Sequence, residues 1–177
     1  ALLDGFAEAA ARSIAAFRAK ADPLLVERAV DLLAAAETIY LVGLRRSFPI
    51  TAYMAYAMGK LGIRNILVDG IAGLGAEQVS FVSERDALLA ISFTPYASET
   101  VSLATAAKSK QAKVISITDS AFSPIAPIAD VWLEMVEANF EGFRPLAATM
   151  ALAMTIAVAV AGKRQEPAKA ALVPRIL

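Results

Sequence analysis

The sequence predicts a three-layer α/β/α sandwich built on a mainly parallel sheet of five strands. Three observations lead there. Five short apolar runs, "TIYLVG", "RNILVD", "ALLAIS", "KVISIT" and "DVWLEM", each have the length and composition of a buried strand. Segments at helical spacing separate most of them, so strand and helix alternate from Thr38 onward. Of the 177 residues, 58% are apolar, and much of that share is alanine, which suits helices packed closely against something flat.

Residues 2–20 place apolar side chains at helical spacing, with no breaker after Gly5. Asp22 before Pro23 forms an N-cap and first-turn pair that opens a second helix through about Ala36. Residues 38–43 are β-branched and end in Gly43, a strand covered on both faces. Residues 47–61 read as a helix stopped by Gly62, and residues 64–69 as a strand. Gly70, Gly73 and Gly75 frame a loop before a short helix to about Val82. Then come the strand from Ala87, a helix over 98–110, a strand over 113–118, a Ser-Pro loop and a strand over 130–135. A long helix over about 144–161 closes the domain. Its run "LAATMALAMTIAVAV" is shorter than the ~20 apolar residues of a membrane span, and Thr149 and Thr155 interrupt it. It reads as a core or interface helix, and no membrane association is expected. The two leading helices fall outside the alternation and are expected to pack on the sandwich or on a partner subunit.

Lysine plus arginine equals aspartate plus glutamate at 17 each, so the chain lacks the basic footprint of a nucleic-acid binder. With no cysteine, disulfides, thiolate catalysis and cysteine zinc sites are excluded. With no histidine, the commonest general acid/base and the commonest transition-metal ligand are gone too. No cofactor or metal is expected. The start at Ala1, with neither methionine nor signal segment, reads as a piece of a longer cytoplasmic protein or as one trimmed.

In an open parallel sheet, ligands bind beyond the C-terminal strand ends, where strand order reverses. Three predicted strands end there in polar loops: "GLRRS", "SFTPYASET" and "TDSAFSP". Each leads toward a helix start, whose free N–H groups and dipole favour an anion. Hydroxyls add donors without a countercharge and so suit reversible phosphate binding. Ser92 and Thr94, at the strand end, are the strongest candidates, and Arg45 and Arg46 add charge and planar hydrogen bonding. Ser47, Ser98 and Ser120 also stand where serine caps helices, and the two roles can coincide. Tyr96 either lines a sugar face or covers its loop.

Other chemistry has less support. The loop at Gly70, Gly73 and Gly75 has no Walker lysine, and "GLRRS" lacks dinucleotide-fold spacing. Glu134, Glu137 and Glu141 read as a solvated face rather than a metal site. The nucleophile elbow of serine hydrolases is missing.

"YLVGLRRS", "DALLAISFTPYASET" and "AKVISITDSAFSPIAPIADVWLEM" resemble the SIS (sugar isomerase) domain, and most closely the effector domain of RpiR-type bacterial transcriptional regulators. "DPLLVERAVDLLAAAETIYLVG" is similar to the linker into that domain, and the resemblance runs from about Ala21 to about Gly162. It implies a flavodoxin-like five-stranded sheet, a homodimer or higher homo-oligomer, and recognition of a phosphorylated sugar. The residues implied are Arg46, Ser47, Ser92, Thr94, Tyr96 and Ser98. DNA contact would belong to an N-terminal helix-turn-helix domain that this chain lacks. On this reading residues 1–36 are a helical linker and dimerisation segment, 37–162 the SIS domain and 163–177 a tail. The family's first loop reads Gly-x-Gly-x-Ser: Gly43 and Ser47 match, while Arg45 replaces the second glycine. Its second loop reads Ser-x-Ser-Gly-x-Thr: Ser92 and Thr94 match in kind, while Pro95 and Ala97 depart. The expected function is sugar-phosphate sensing for a regulator, without catalysis. The alternative is an aldose-ketose isomerase using Glu99 or Glu141 as base.

Overall fold

Each of the five apolar runs forms a strand in the computed structural model, which describes residues 1–171. The strands are β1 (Ile39–Gly43), β2 (Asn65–Val68), β3 (Ala87–Ile91), β4 (Lys113–Thr118) and β5 (Val131–Glu134). The helices are α1 (Leu2–Lys20), α2 (Pro23–Ala35), α3 (Phe48–Lys60), α4 (Gly75–Ser80), α5 (Ser98–Ser109) and α6 (Ala147–Ala171). All strand pairs are parallel, in the order β2-β1-β3-β4-β5. This is the flavodoxin-like order, with the reversal between β1 and β3.

The alternation of side chains across the strands sorts the core into two layers. Ile39, Leu41, Leu89, Ile115 and Leu133 face a layer that includes Leu33 of α2, Met54 and Met58 of α3, and Leu152 and Ile156 of α6. Tyr40, Val42, Leu88 and Val114 face Leu103, Ala104 and Ala107 of α5 and Val79 of α4. Every residue of β1 and β3 is buried, as continuous apolar runs under helices on both faces require. α3 therefore leaves β1 toward one face while α5 leaves β3 toward the other.

α6 is long and apolar enough by composition to cross a membrane over Ala147–Gln165, but 44% of that stretch is buried inside the domain. It packs on α1, α2 and α3 as the central helix of its layer. It also runs to Ala171, past the boundary expected near Gly162, and the final six residues of the expected tail lie outside the described residues. Arg164 explains part of this extension. Its guanidinium donates to the carbonyl oxygens of Leu33, Ala34 and Ala36, at 3.3, 3.2 and 2.6 Å, and so satisfies acceptors at the C-terminal end of α2.

α1 buries only Ala9 and Ser13, yet it anchors the segment between β5 and α6. The Ser13 hydroxyl accepts from the Ala138 N–H at 2.8 Å, and the Phe6 ring meets Phe140 edge-on at 5.0 Å. Gly5 leaves room for that ring: a Cβ there would sit 2.1 Å from Phe140 Cζ.

Arg164→Ala should cost about 1–2 kcal/mol, because three carbonyls lose a charged donor on a partly exposed surface. Urea unfolding of parent and variant measures it, and an unchanged midpoint would remove the capping role.

Candidate ligand-binding site

The reversal of strand order brings three loops to one edge of the sheet. β1, β3 and β4 end nearly level, with Gly43 opposite Ile91 and Ile91 opposite Ile117. After β1 the chain makes a tight turn at Arg45–Ser47 and enters α3. Gly43 permits that turn: a Cβ there would lie 2.8 Å from Thr51 Cγ2 and 3.0 Å from the Ser47 carbonyl oxygen. Arg45 takes a left-handed φ of +55° at the position where the family pattern has its second glycine. A side chain in that region costs about 1–2 kcal/mol.

The turn and the β3–α5 loop enclose a cavity of about 140 Å³ lined by Arg45, Arg46, Ser47, Ser92, Pro95 and Ala97, among others. Ser47 and Ser92 are both buried, and neither hydroxyl has a hydrogen-bond partner among the described residues. Ser47 occupies the N-cap position of α3 without bonding a backbone N–H through its side chain. Arg46 crosses the opening: Nη2 donates to the Thr94 carbonyl at 2.9 Å, and the guanidinium lies 5.2 Å from the Phe93 ring centre. Arg45 Nη1 donates to the Pro95 carbonyl at 3.4 Å, next to the cis Thr94–Pro95 peptide.

Asp119, from the loop after β4, ties down the middle loop. Its Oδ2 accepts from the Thr94 N–H at 2.9 Å and its Oδ1 from the Tyr96 hydroxyl at 2.7 Å. Burial pushes this carboxyl up, but the Thr94 and Tyr96 donors outweigh it and hold the group below its ordinary value. Arg46 is lowered chiefly by burial and then by the neighbouring Arg144 guanidinium, with Asp119 pulling the other way.

A second cavity of about 80 Å³ shares Arg46 and Phe93 with the first and adds Asp119, Glu137 and Arg144. Glu137 overturns the solvated-face reading. It is buried, and its Oε1 accepts from Thr149 N and Thr149 Oγ1 at 2.7 and 2.8 Å, at the start of α6. Its other oxygen, Oε2, is buried without a partner. The acidic spacing suggests a helix, but the segment is a loop folded back through a Phe140–Phe143 bridge, with Gly142 and Leu146 at positive φ. That fold puts Glu137 beneath the N-terminus of α6, where a negative charge is favoured. Gly142 and Pro145 are the local signs of an interruption, but nothing in the spacing marks Glu137.

The candidates separate accordingly. Arg46, Ser47 and Ser92 come together at the first cavity. Thr94 contributes its backbone and has an exposed side chain, and the Tyr96 hydroxyl is committed to Asp119. Ser98 is exposed as the first residue of α5, behind Ala97 at the N-cap position. Ser120 accepts from the Phe122 N–H in a turn that no helix follows. Thr100 is buried with an unpartnered hydroxyl and lines neither cavity. Of the two alternative bases, the Glu99 carboxylate lies beside Gly75, and Glu141 is exposed on a loop. Among the described residues no group of three acidic side chains is placed to hold a metal.

Asp119 should contribute stability that is present above its unfolded pKa of about 4 and lost as pH falls through the lower folded value. Asp119→Asn should therefore melt below the parent at pH 7, with the gap closing near pH 2.5. Thermal melts at both pH values test this, and a gap of equal size at both would contradict it.

The SIS domain family model matches residues 32–161. No curated protein sequence matches the chain. Among solved structures, the sugar isomerase domain of an RpiR transcription factor from Sphaerobacter thermophilus is similar, with a TM-score of 0.86, 22% identity, and coverage of 97% of this chain and 96% of that one. Vibrio vulnificus NanR in complex with ManNAc-6P gives a TM-score of 0.77 at 22% identity, covering 94% of this chain and 63% of NanR. An E. coli CFT073 protein in complex with a phosphosugar gives a TM-score of 0.77 at 17% identity, covering 93% of this chain and 90% of that one. The family match spans the whole alternating core, from the end of α2 into α6, and the chain belongs to the SIS domain family.

Proposed function

We propose that this domain binds a phosphorylated sugar without converting it, as the sensing module of an RpiR-type transcriptional regulator. One observation carries the reading. Ser47 and Ser92, buried and with free hydroxyls, line one cavity at the point of strand reversal, beside Arg46 and ahead of the α5 N-terminus. Donors without fixed partners, a guanidinium and a helix start are what a phosphate requires. The adjoining cavity, with Asp119 and the unpartnered Glu137 oxygen, suits the hydroxyl donors of a sugar. Two of the similar structures, NanR and the E. coli protein, are complexes with phosphosugars. The setting is cytoplasmic, and DNA contact falls to a separate domain.

Homodimerisation belongs to the same proposal. Tyr53 and Tyr56 stack at 6.0 Å and are exposed on α3, while Ala151, Thr155 and Val158 expose a stripe of α6. Small side chains allow a second copy to approach closely. Sedimentation at micromolar concentration should give a dimer, and a monomer throughout would contradict it.

Glu137 supports an isomerase as the second reading, because a carboxylate with one free oxygen beside the cavity is a candidate base. The regulator reading is preferred because the chain has no histidine to share the proton transfers. Incubation with aldose and ketose phosphates should give no interconversion, and turnover abolished by Glu137→Gln would reverse the preference.

A phosphosugar at a hundred times its Kd should stabilise the fold by about 2.7 kcal/mol, whereas the unphosphorylated sugar should not. Ser47→Ala and Ser92→Ala should each weaken binding by about 0.5–1.5 kcal/mol. Calorimetry with the phosphosugar giving the largest thermal shift measures this. Unchanged affinity in both variants would end the cradle interpretation.

A further inference from the structure

We propose that Arg45 converts the first loop into a two-guanidinium clamp, so that the pocket selects a phosphate ester in its dianionic form. This rests on the phosphosugar reading above and adds the charge state that the site requires.

Arg45 and Arg46 both line the 140 Å³ cavity, and no carboxylate does. Their hydrogen bonds go to the neutral carbonyls of Pro95 and Thr94, which leaves the two charges uncompensated there. A glycine would adopt the Arg45 backbone, at φ +55°, without strain. Arginine is held in that conformation at a cost. Across the cavity stands Ala97, with no hydroxyl to donate. The chain has thus gained a charged donor on one wall where the opposite wall carries none. Two guanidiniums match a dianion in charge and in bidentate geometry, and a monoanion leaves one of them unneutralised.

The charged groups around the clamp are Arg144 ahead of α6, Asp119 after β4, Glu137 after β5 and Glu99 at the start of α5. Histidine and cysteine, whose ordinary pKa values lie nearest neutrality, do not occur in the chain. The second ionisation of a phosphate ester, at about 6, does fall between pH 5 and 7.5. Affinity over that interval follows the ligand: dianion is nearly complete at pH 7.5 and about a tenth of the total at pH 5.

Methyl phosphate and methyl sulfate, a monoanion throughout, test this without knowledge of the sugar. Binding is read from the backbone amide resonances of Ser47 and Ser92 at pH 5 and pH 7.5, for the parent, Arg45→Gly and Arg45→Lys. In the parent, methyl phosphate should bind roughly tenfold more weakly at pH 5, while methyl sulfate stays weak and indifferent to pH. At pH 7.5 Arg45→Gly should lose about tenfold toward methyl phosphate and lose the preference over methyl sulfate, with Arg45→Lys intermediate. If Arg45→Gly melts early, Arg45→Asn, tolerant of left-handed backbone, replaces it. A glycine or asparagine variant with the parent's affinity and pH profile overturns the clamp and leaves the phosphosugar reading standing. So does methyl sulfate binding that weakens in parallel with methyl phosphate at pH 5, since the titrating group would then be the protein's. A parent whose Ser47 and Ser92 resonances ignore methyl phosphate overturns the phosphate reading and the clamp with it.

Discussion

The parallel register of β1 against β3 is the constraint on which the site depends. Gly43 pairs with Ile91, so the two strands end side by side, and their chains must leave toward opposite faces of the sheet. α3 takes one face and α5 the other, and the space between their first turns cannot be filled by either helix. Every residue of the two strands is buried, which forbids a slip in that register. The crevice is therefore a consequence of how the core packs, and its position would survive large changes in loop sequence.

Side-chain bridges then give the crevice its shape. Arg46 spans from the first loop to the Thr94 carbonyl, and Asp119 reaches from the third loop to Thr94 and Tyr96. Thr94 is thus held from both sides through its backbone, and its own hydroxyl is left facing solvent. The segment carrying Glu137 and Arg144 is fixed from farther away, by α1 through Ser13 and Gly5 and by α6 through Thr149. The leading helix, outside the sandwich alternation, thereby acts on the ligand side of the domain.

The strands are legible in the sequence because each is short, apolar and bounded by turn residues. Lys113–Thr118 has the expected limits, and the others differ by one or two residues at their ends. Asp22 and Pro23 announce α2 correctly, since the Asp22 carboxylate caps through the Leu24 N–H. Hydroxyl-rich loops locate the crevice, and Ser47 and Ser92 do line it. Local pattern is silent about contacts across the fold. Nothing near Asp119 in sequence foretells that it organises Thr94 and Tyr96, twenty-five and twenty-three residues upstream. The spacing around Glu137 resembles a solvated helix face, whereas its burial depends on Thr149 twelve residues later. The limit of α6 escapes the local pattern for the same reason: Arg164 bonds carbonyls about 130 residues away.

A crystal structure of the protein grown with a phosphosugar bears most directly on the central claim. The phosphate should sit in the crevice between the first turns of α3 and α5, within hydrogen-bonding distance of the Ser47 and Ser92 hydroxyls and of Arg46, with the sugar extending toward Asp119 and Glu137. A phosphosugar bound elsewhere, with that crevice empty and both serine hydroxyls still unpartnered, would contradict it.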